Sequence, residues 1–228
     1  VPKRATAGKT GAPTKTTRRR PSSTRAVARL RAADPVLAEL IDAVGPLGDA
    51  RAGRPDLDDH YGALLRAIIG QQLSVSAARS IYGRVLERFG GRTPTPQEIL
   101  ADEPEELRAA GGLSRAKVSY LRSLAEHVLS GELELERLDE LPDEQVLAEL
   151  VAVKGVGTWT AQMFLMFQLE RPDVLPVGDL GIRRAIERAY GLDELPDPAT
   201  MEKIAEPWRP DRTLASRYLW RSLQNEPV

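Results

Sequence analysis

The chain has 228 residues, 42% of them hydrophobic, and no cysteine. That is enough to bury a core in one or two subdomains, and it excludes disulfides, Cys-ligated zinc and an iron–sulfur cluster within these residues. The formal net charge of −1 hides a segregation: residues 1–33 hold ten Lys and Arg and no acid, so residues 34–228 carry −11.

The first segment, residues 1–33, is rich in Thr, Ser, Pro, Gly and Ala and is expected to be a disordered basic tail that could hold a polyanion in a salt-dependent way. Apolar residues then recur at helical spacing almost everywhere, and sustained period-2 alternation is missing, which predicts an all-α domain over 34–228. A helix is expected near 34–44, followed by a Gly-, Pro- and Asp-rich linker to residue 59. A long helical stretch over 61–89 is expected to break at Gln72 to Ser74. Short helices follow at 96–101 and 104–110, then a longer one at 114–130. No apolar run approaches the ~18 residues of a membrane span and no secretory signal stands out, so the expectation is a soluble intracellular protein; it is also expected to be a monomer. The two histidines, His60 and His127, are too few and too far apart to suggest a metal centre.

The chemistry concentrates in residues 150–182, LVAVKGVGTWTAQMFLMFQLERPDVLPVGDLGI. Val146, Leu147, Leu150 and Val151 share one face of a helix that opens at Pro142-Asp143-Glu144 and is broken by Gly155 and Gly157. A second helix follows from about Thr158, with Trp159, Met163, Met166 and Phe167 along one side. Its first amides lack intrahelical partners and carry the positive end of the helix dipole, so they suit an anion such as phosphate. Side-chain-free Gly155 and Gly157 let a nucleic-acid backbone approach, and Lys154 and Thr160 stand beside them. A bare Gly-x-Gly turn between helices also occurs where nothing binds. Asp179, in Pro176-Val177-Gly178-Asp179-Leu180-Gly181-Ile182, heads the next helix, where Asp is a good N-cap. A carboxylate fixed in that way also suits catalysis. Helices over 198–206 and 212–225 complete the chain.

The pattern V-x-V-K-G-V-G-x-x-T-A, with an Asp at a helix start about twenty residues on, resembles the helix-hairpin-helix DNA glycosylase superfamily. Three further stretches agree: Ala67-Ile68-Ile69-Gly70-Gln71-Gln72-Leu73-Ser74, Gly112-Leu113-Ser114-Arg115-Ala116-Lys117, and Pro207-Trp208-Arg209-Pro210 with Tyr218-Leu219-Trp220-Arg221. The resemblance spans about 34–224 and within the superfamily points to the 3-methyladenine DNA glycosylase branch. It implies two helical subdomains flanking a cleft, divided here as 34–75 plus 195–228 against 76–194, with Asp179 as the catalytic carboxylate. It also implies duplex DNA with a damaged base as the partner, and base excision repair of alkylated purines as the process. Bifunctional members carry a lysine two residues after the second hairpin glycine; here that position is Trp159, which implies a glycosylase without strand cleavage.

Gln72 and Leu73 are candidates to fill the gap left by an extruded base, with Ser74 beside them on the DNA face; ordinary helix-end packing explains the same residues. Trp159 is the first candidate for the base pocket, with Met163, Trp208 and Tyr61 behind it and Trp220 and Phe164 as further aromatics, although aromatics at helical spacing also fit a core. Arg115, Lys117, Lys154, Arg183 and Arg184 are expected near the DNA face. No cofactor is implied beyond a monovalent cation at the hairpin carbonyls. The sequence departs from the family at Asp211, where an aromatic is common after Trp-Arg-Pro, and at Met163, where one well-known pocket has a tyrosine. A non-catalytic DNA-binding hairpin protein, or a glycosylase for a different lesion, is the competing reading.

Overall fold

The computed structural model describes residues 23–48 and 59–224, and these contain twelve α-helices, two short 3-10 turns and no strand. In chain order the helices are α1 Ser23–Ala33, α2 Pro35–Val44, α3 His60–Gly70, α4 Val75–Arg88, α5 Pro96–Ala101, α6 Pro104–Gly111, α7 Arg115–Ser130, α8 Asp143–Ala152, α9 Thr158–Phe167, α10 Leu180–Tyr190, α11 Pro198–Ala205 and α12 Arg212–Gln224. The breaks are chemical. Asp34, Ser74, Thr95, Ser114, Asp179 and Asp197 each turn a side-chain oxygen onto the first-turn amides of the following helix. Among the described residues no helix is long and apolar enough to cross a membrane.

Two apolar cores form. One gathers α3 to α9, with Leu64, Leu65, Ile68, Leu121, Leu124 and Leu150 fully buried. The other gathers α1, α2 and α10 to α12 around Leu30, Leu37, Ile186, Trp208 and Leu219. Trp220 packs against both. The expected subdomain boundaries therefore shift. Seven of the eleven residues of α3 are buried, and they join the core holding the hairpin, whereas the amphipathic α10 joins the terminal core.

The basic segment also needs correcting. Residues 1–22 lie outside the described residues, but 23–33 form α1 rather than a disordered arm. Ala26 and Leu30, four apart, enter the terminal core. Arg29 donates two parallel 2.7 Å hydrogen bonds to the buried carboxylate of Asp211. The unusual Asp211 thus has a structural reason: it anchors α1 onto the start of α12.

Asp34 is the polar hub of the terminal core. Its Oδ1 accepts from the Val36 and Leu37 amides, and its Oδ2 accepts from Trp208 Nε1 at 2.8 Å and from the Tyr190 hydroxyl. Burial alone would raise its pKa, but Trp208, Tyr190 and the two amides outweigh burial and hold it below the usual carboxylate range. Asp34→Ala removes a cap and strands one buried donor, Trp208, and one half-buried donor, Tyr190, so a loss of about 2–4 kcal/mol in urea unfolding at pH 7 is expected. Because the folded pKa is the lower one, Asp34's contribution is present above about pH 4 and fades as pH falls through the folded value. The gap between wild type and Asp34→Ala should therefore narrow in acid.

Candidate active site

Asp179 lies where the two cores meet. It is the N-cap of α10, with Oδ1 accepting from the Ile182 amide at 2.9 Å. Two indoles complete its shell: Trp220 Nε1 on α12 donates to Oδ1 at 2.9 Å, and Trp159 Nε1 on α9 donates to Oδ2 at 2.7 Å. Three N–H donors on one side chain are the partners an ionised carboxylate, which can only accept, is built for. Gly181 makes the Trp220 contact possible, since a Cβ there would lie 3.1 Å from Asp179 Oδ1 and 3.2 Å from the Trp220 ring. Trp220 is held from the other side by stacking on Phe167, with centroids 6.0 Å apart.

The loop leading to Asp179 is pinned to α12. Thr213 Oγ1 donates to Arg171 O at 2.6 Å and accepts from the Val174 amide at 3.0 Å, while Arg212 and Arg209 both bind Asp173. The half-buried Asp179 carboxylate therefore sits on rigid supports, as a reactive group should. Trp220→Phe keeps the stack and removes one donor. A fall of about tenfold in any Asp179-dependent rate is expected, with the melting temperature nearly unchanged.

Trp159 is 47% exposed, so the indole edge is tied to Asp179 while much of the ring stays open to a ligand. Met163, one turn along α9, is half-buried against the hairpin core. Leu180, also largely exposed, stands next to Asp179. Two other expected pocket residues are elsewhere. Trp208 is fully buried in the terminal core with its N–H on Asp34. Tyr61 is buried in the hairpin core, where burial first and the nearby Asp59 second push its phenol far above its ordinary pKa. Sequence reasoning ranked Trp220 among the weaker aromatics and missed its hydrogen bond to the carboxylate.

The hairpin runs from α8 through Gly155 and Gly157 into α9. Gly155 has φ +87, and a Cβ there would fall 2.2 Å from the Tyr120 ring. Gly157 is the N-cap of α9 and offers no side chain to its first amides, which leaves those donors for an anion. Lys154 is exposed beside them, its Nζ 3.1 Å from Ser119 Oγ. Thr160, expected at the DNA face, is instead buried, and its Oγ1 faces Gln71 Nε2 at 3.3 Å.

The turn between α3 and α4 presents the remaining candidates on one edge. Gln72 is exposed with φ +58, Leu73 is 38% exposed, and Ser74 caps α4. The left-handed backbone of Gln72, a non-glycine residue at the apex of an exposed turn, is the feature here that suggests function. Val75, next in line, is even more exposed and was not singled out from sequence. Of the expected cations, Arg115 and Arg184 are exposed, but Lys117 turns inward to the carbonyls of Ile69 and Gln71, and Arg183 donates to Pro196 O. His60 lies between Asp139 and Gln168, and His127 is half-buried over Ser123 O.

The HhH-GPD family, described as base excision DNA repair proteins, matches residues 65–210. The chain belongs to the HhH-GPD superfamily. Within it, the match is to the 3-methyladenine DNA glycosylase branch. The chain is 36% identical over 179 residues to DNA-3-methyladenine glycosylase 1 of Schizosaccharomyces pombe, covering 77% of this chain and 78% of that protein. Against DNA-3-methyladenine glycosylase 2 of Escherichia coli it is 33% identical, covering 78% of this chain but 64% of the relative, so it spans just under two thirds of that protein's length. Two solved structures share the fold at similar identity. A Bacillus halodurans DNA-3-methyladenine glycosidase superposes with TM-score 0.78 at 35% identity, covering 90% of this chain and 91% of that one. The Schizosaccharomyces pombe 3-methyladenine DNA glycosylase in complex with abasic DNA gives 0.76 at 34%, covering 86% and 95%. The HhH-GPD match includes the α3–α4 turn, the hairpin and Asp179, the three features assembled above.

Proposed function

We propose that this HhH-GPD protein is an intracellular, monomeric, monofunctional DNA glycosylase that hydrolyses the N-glycosidic bond of alkylated purines in duplex DNA, with 3-methyladenine and 7-methylguanine as substrates. The observation that carries the reading is the Asp179 carboxylate, held at the meeting of the two cores by Trp220 and by Trp159, which stands in the first turn of the helix that the hairpin opens. Gripping phosphate needs no carboxylate at that position, and Ser, Thr or Asn would cap α10 as well without the charge. The names of the relatives in the same branch, DNA-3-methyladenine glycosylases, support the substrate class.

The hairpin amides and Lys154 would hold a phosphate of the damaged strand, and Gln72 and Leu73 would enter the space left by the extruded nucleotide. The base would lie against the open face of Trp159, with Met163 behind it. A methylated purine carries positive charge, which the indole face favours. As the C1′–N bond breaks, its electron pair leaves with the base, which becomes neutral and needs no proton from the protein. Positive charge moves onto the sugar, and Asp179 faces it. Water adds at C1′ and loses a proton to Asp179 or solvent, leaving an abasic site. Trp159 occupies the position of the lyase lysine, so no amine is placed to form a Schiff base with the sugar. A monovalent cation would be held by the hairpin carbonyls; those of Gly155 and Val153 also accept from Gln71 Nε2 and the Val156 amide, and each keeps a second lone pair.

The test is incubation with dimethyl-sulfate-treated duplex DNA. Free 3-methyladenine and 7-methylguanine are expected, with strands that stay intact until alkali is added. Nicks formed without alkali would overturn the monofunctional mechanism, and binding without base release would favour a different lesion or a non-catalytic role.

A further inference from the structure

The turn that carries Gln72 and Leu73 and the hairpin are far apart in sequence, yet they are fastened together. Gln71, the residue before the turn's apex, sends Nε2 to Gly155 O at 2.8 Å and to Thr160 Oγ1 at 3.3 Å. From the opposite side Lys117 Nζ donates to Ile69 O at 2.6 Å and Gln71 O at 2.9 Å, taking the last carbonyls of α3. The same helix, α7, backs the hairpin, since the Tyr120 ring fills the space in front of Gly155 and Ser123 Oγ accepts from the Lys154 amide. An exposed lysine on a DNA-binding face would ordinarily reach for phosphate. This one is desolvated, which lowers its pKa, and satisfies backbone carbonyls instead.

We infer that Gln71 and Lys117 are positioning residues that lock the Gln72-Leu73 turn to the hairpin at a fixed separation, so that a phosphate gripped at the hairpin sets where the turn enters the helix. This rests on the glycosylase reading. Neither side chain touches DNA in this scheme. Their loss frees the turn without disturbing the amides or Lys154, so it should spare affinity for undamaged duplex and weaken only complexes in which the turn is inserted.

The experiment compares wild type, Gln71→Met, Lys117→Met and Lys117→Arg by fluorescence anisotropy on two duplexes, one undamaged and one with a central tetrahydrofuran abasic analogue. Single-turnover base release is measured alongside. Wild type should prefer the abasic duplex. Gln71→Met, nearly isosteric but without the donor, should lose about tenfold of that preference and of the single-turnover rate, with undamaged affinity within about twofold. Lys117→Met should do the same, and Lys117→Arg should restore most of it. An equal loss on both duplexes, or an unchanged preference, overturns the positioning role. If Gln71→Met melts early, the lysine pair decides the matter, because Lys117 binds the backbone carbonyls of Ile69 and Gln71 and not the Gln71 side chain. Wild type with no preference and no base release would instead sink the glycosylase reading, and this inference with it.

Discussion

Asp179→Asn should cut release of 3-methyladenine from methylated duplex DNA by about 100- to 10,000-fold, equivalent to roughly 3–5 kcal/mol of barrier. The substitution is nearly isosteric, and Asn is as good an N-cap as Asp, so α10 keeps its start. What changes is the charge opposite the sugar and the match to the two indole donors. Asparagine has one acceptor oxygen where the carboxylate offers two, so Trp159 and Trp220 can no longer both be satisfied. Circular dichroism melting should show a shift of only a few degrees, and affinity for a tetrahydrofuran-containing duplex should persist. Base release within a few fold of wild type would remove Asp179 from the chemistry and leave the seam between the cores without a catalytic group.

Much of this was legible in the sequence because it is local. Helix starts were announced by capping residues a few positions ahead of apolar periodicity, as at Ser74, Ser114 and Asp179, and the structure begins helices at each. The hairpin and Asp179 lie within one short segment, so spacing alone could relate them. What spacing could not give were partners far along the chain. Trp208 is in the core because its N–H meets Asp34, 174 residues away, and a buried indole with a partner looks in sequence like any exposed one. Lys117 and Thr160 read as surface groups because their acceptor and donor, around Gln71, come from another helix. The segment before Asp34 departs from expectation for a different reason. Its composition is that of a disordered arm, and composition outweighed a short pattern, Ala26 and Leu30 at helical spacing, that marks a buried face. Asp211 looked like a departure from the family and is the reason that face stays docked.

The two hairpin glycines are expected to fail in different ways. Gly155→Ala should cost about 2 kcal/mol or more in stability, since it forces a side chain into a left-handed backbone conformation and drives a Cβ to 2.2–2.6 Å from three Tyr120 ring atoms. The ring cannot yield cheaply, because it belongs to the helix that backs the hairpin. Melting temperature and DNA affinity should fall together. A second substitution, Tyr120→Ala, should recover part of the loss by removing the clash, while the backbone strain stays. Gly157→Ala should behave oppositely. Its φ is −87 and an added Cβ meets nothing within 4 Å, so the stability cost should be only that of a poorer N-cap, about 1 kcal/mol or less. That open space is where a DNA phosphate would reach the amides of α9, and a methyl group there would hold it off. Affinity for abasic duplex is therefore expected to drop about tenfold or more, with the melting temperature lowered by only a few degrees. If Gly157→Ala bound DNA as wild type does, the phosphate would have to be gripped elsewhere, and the hairpin would be a structural turn.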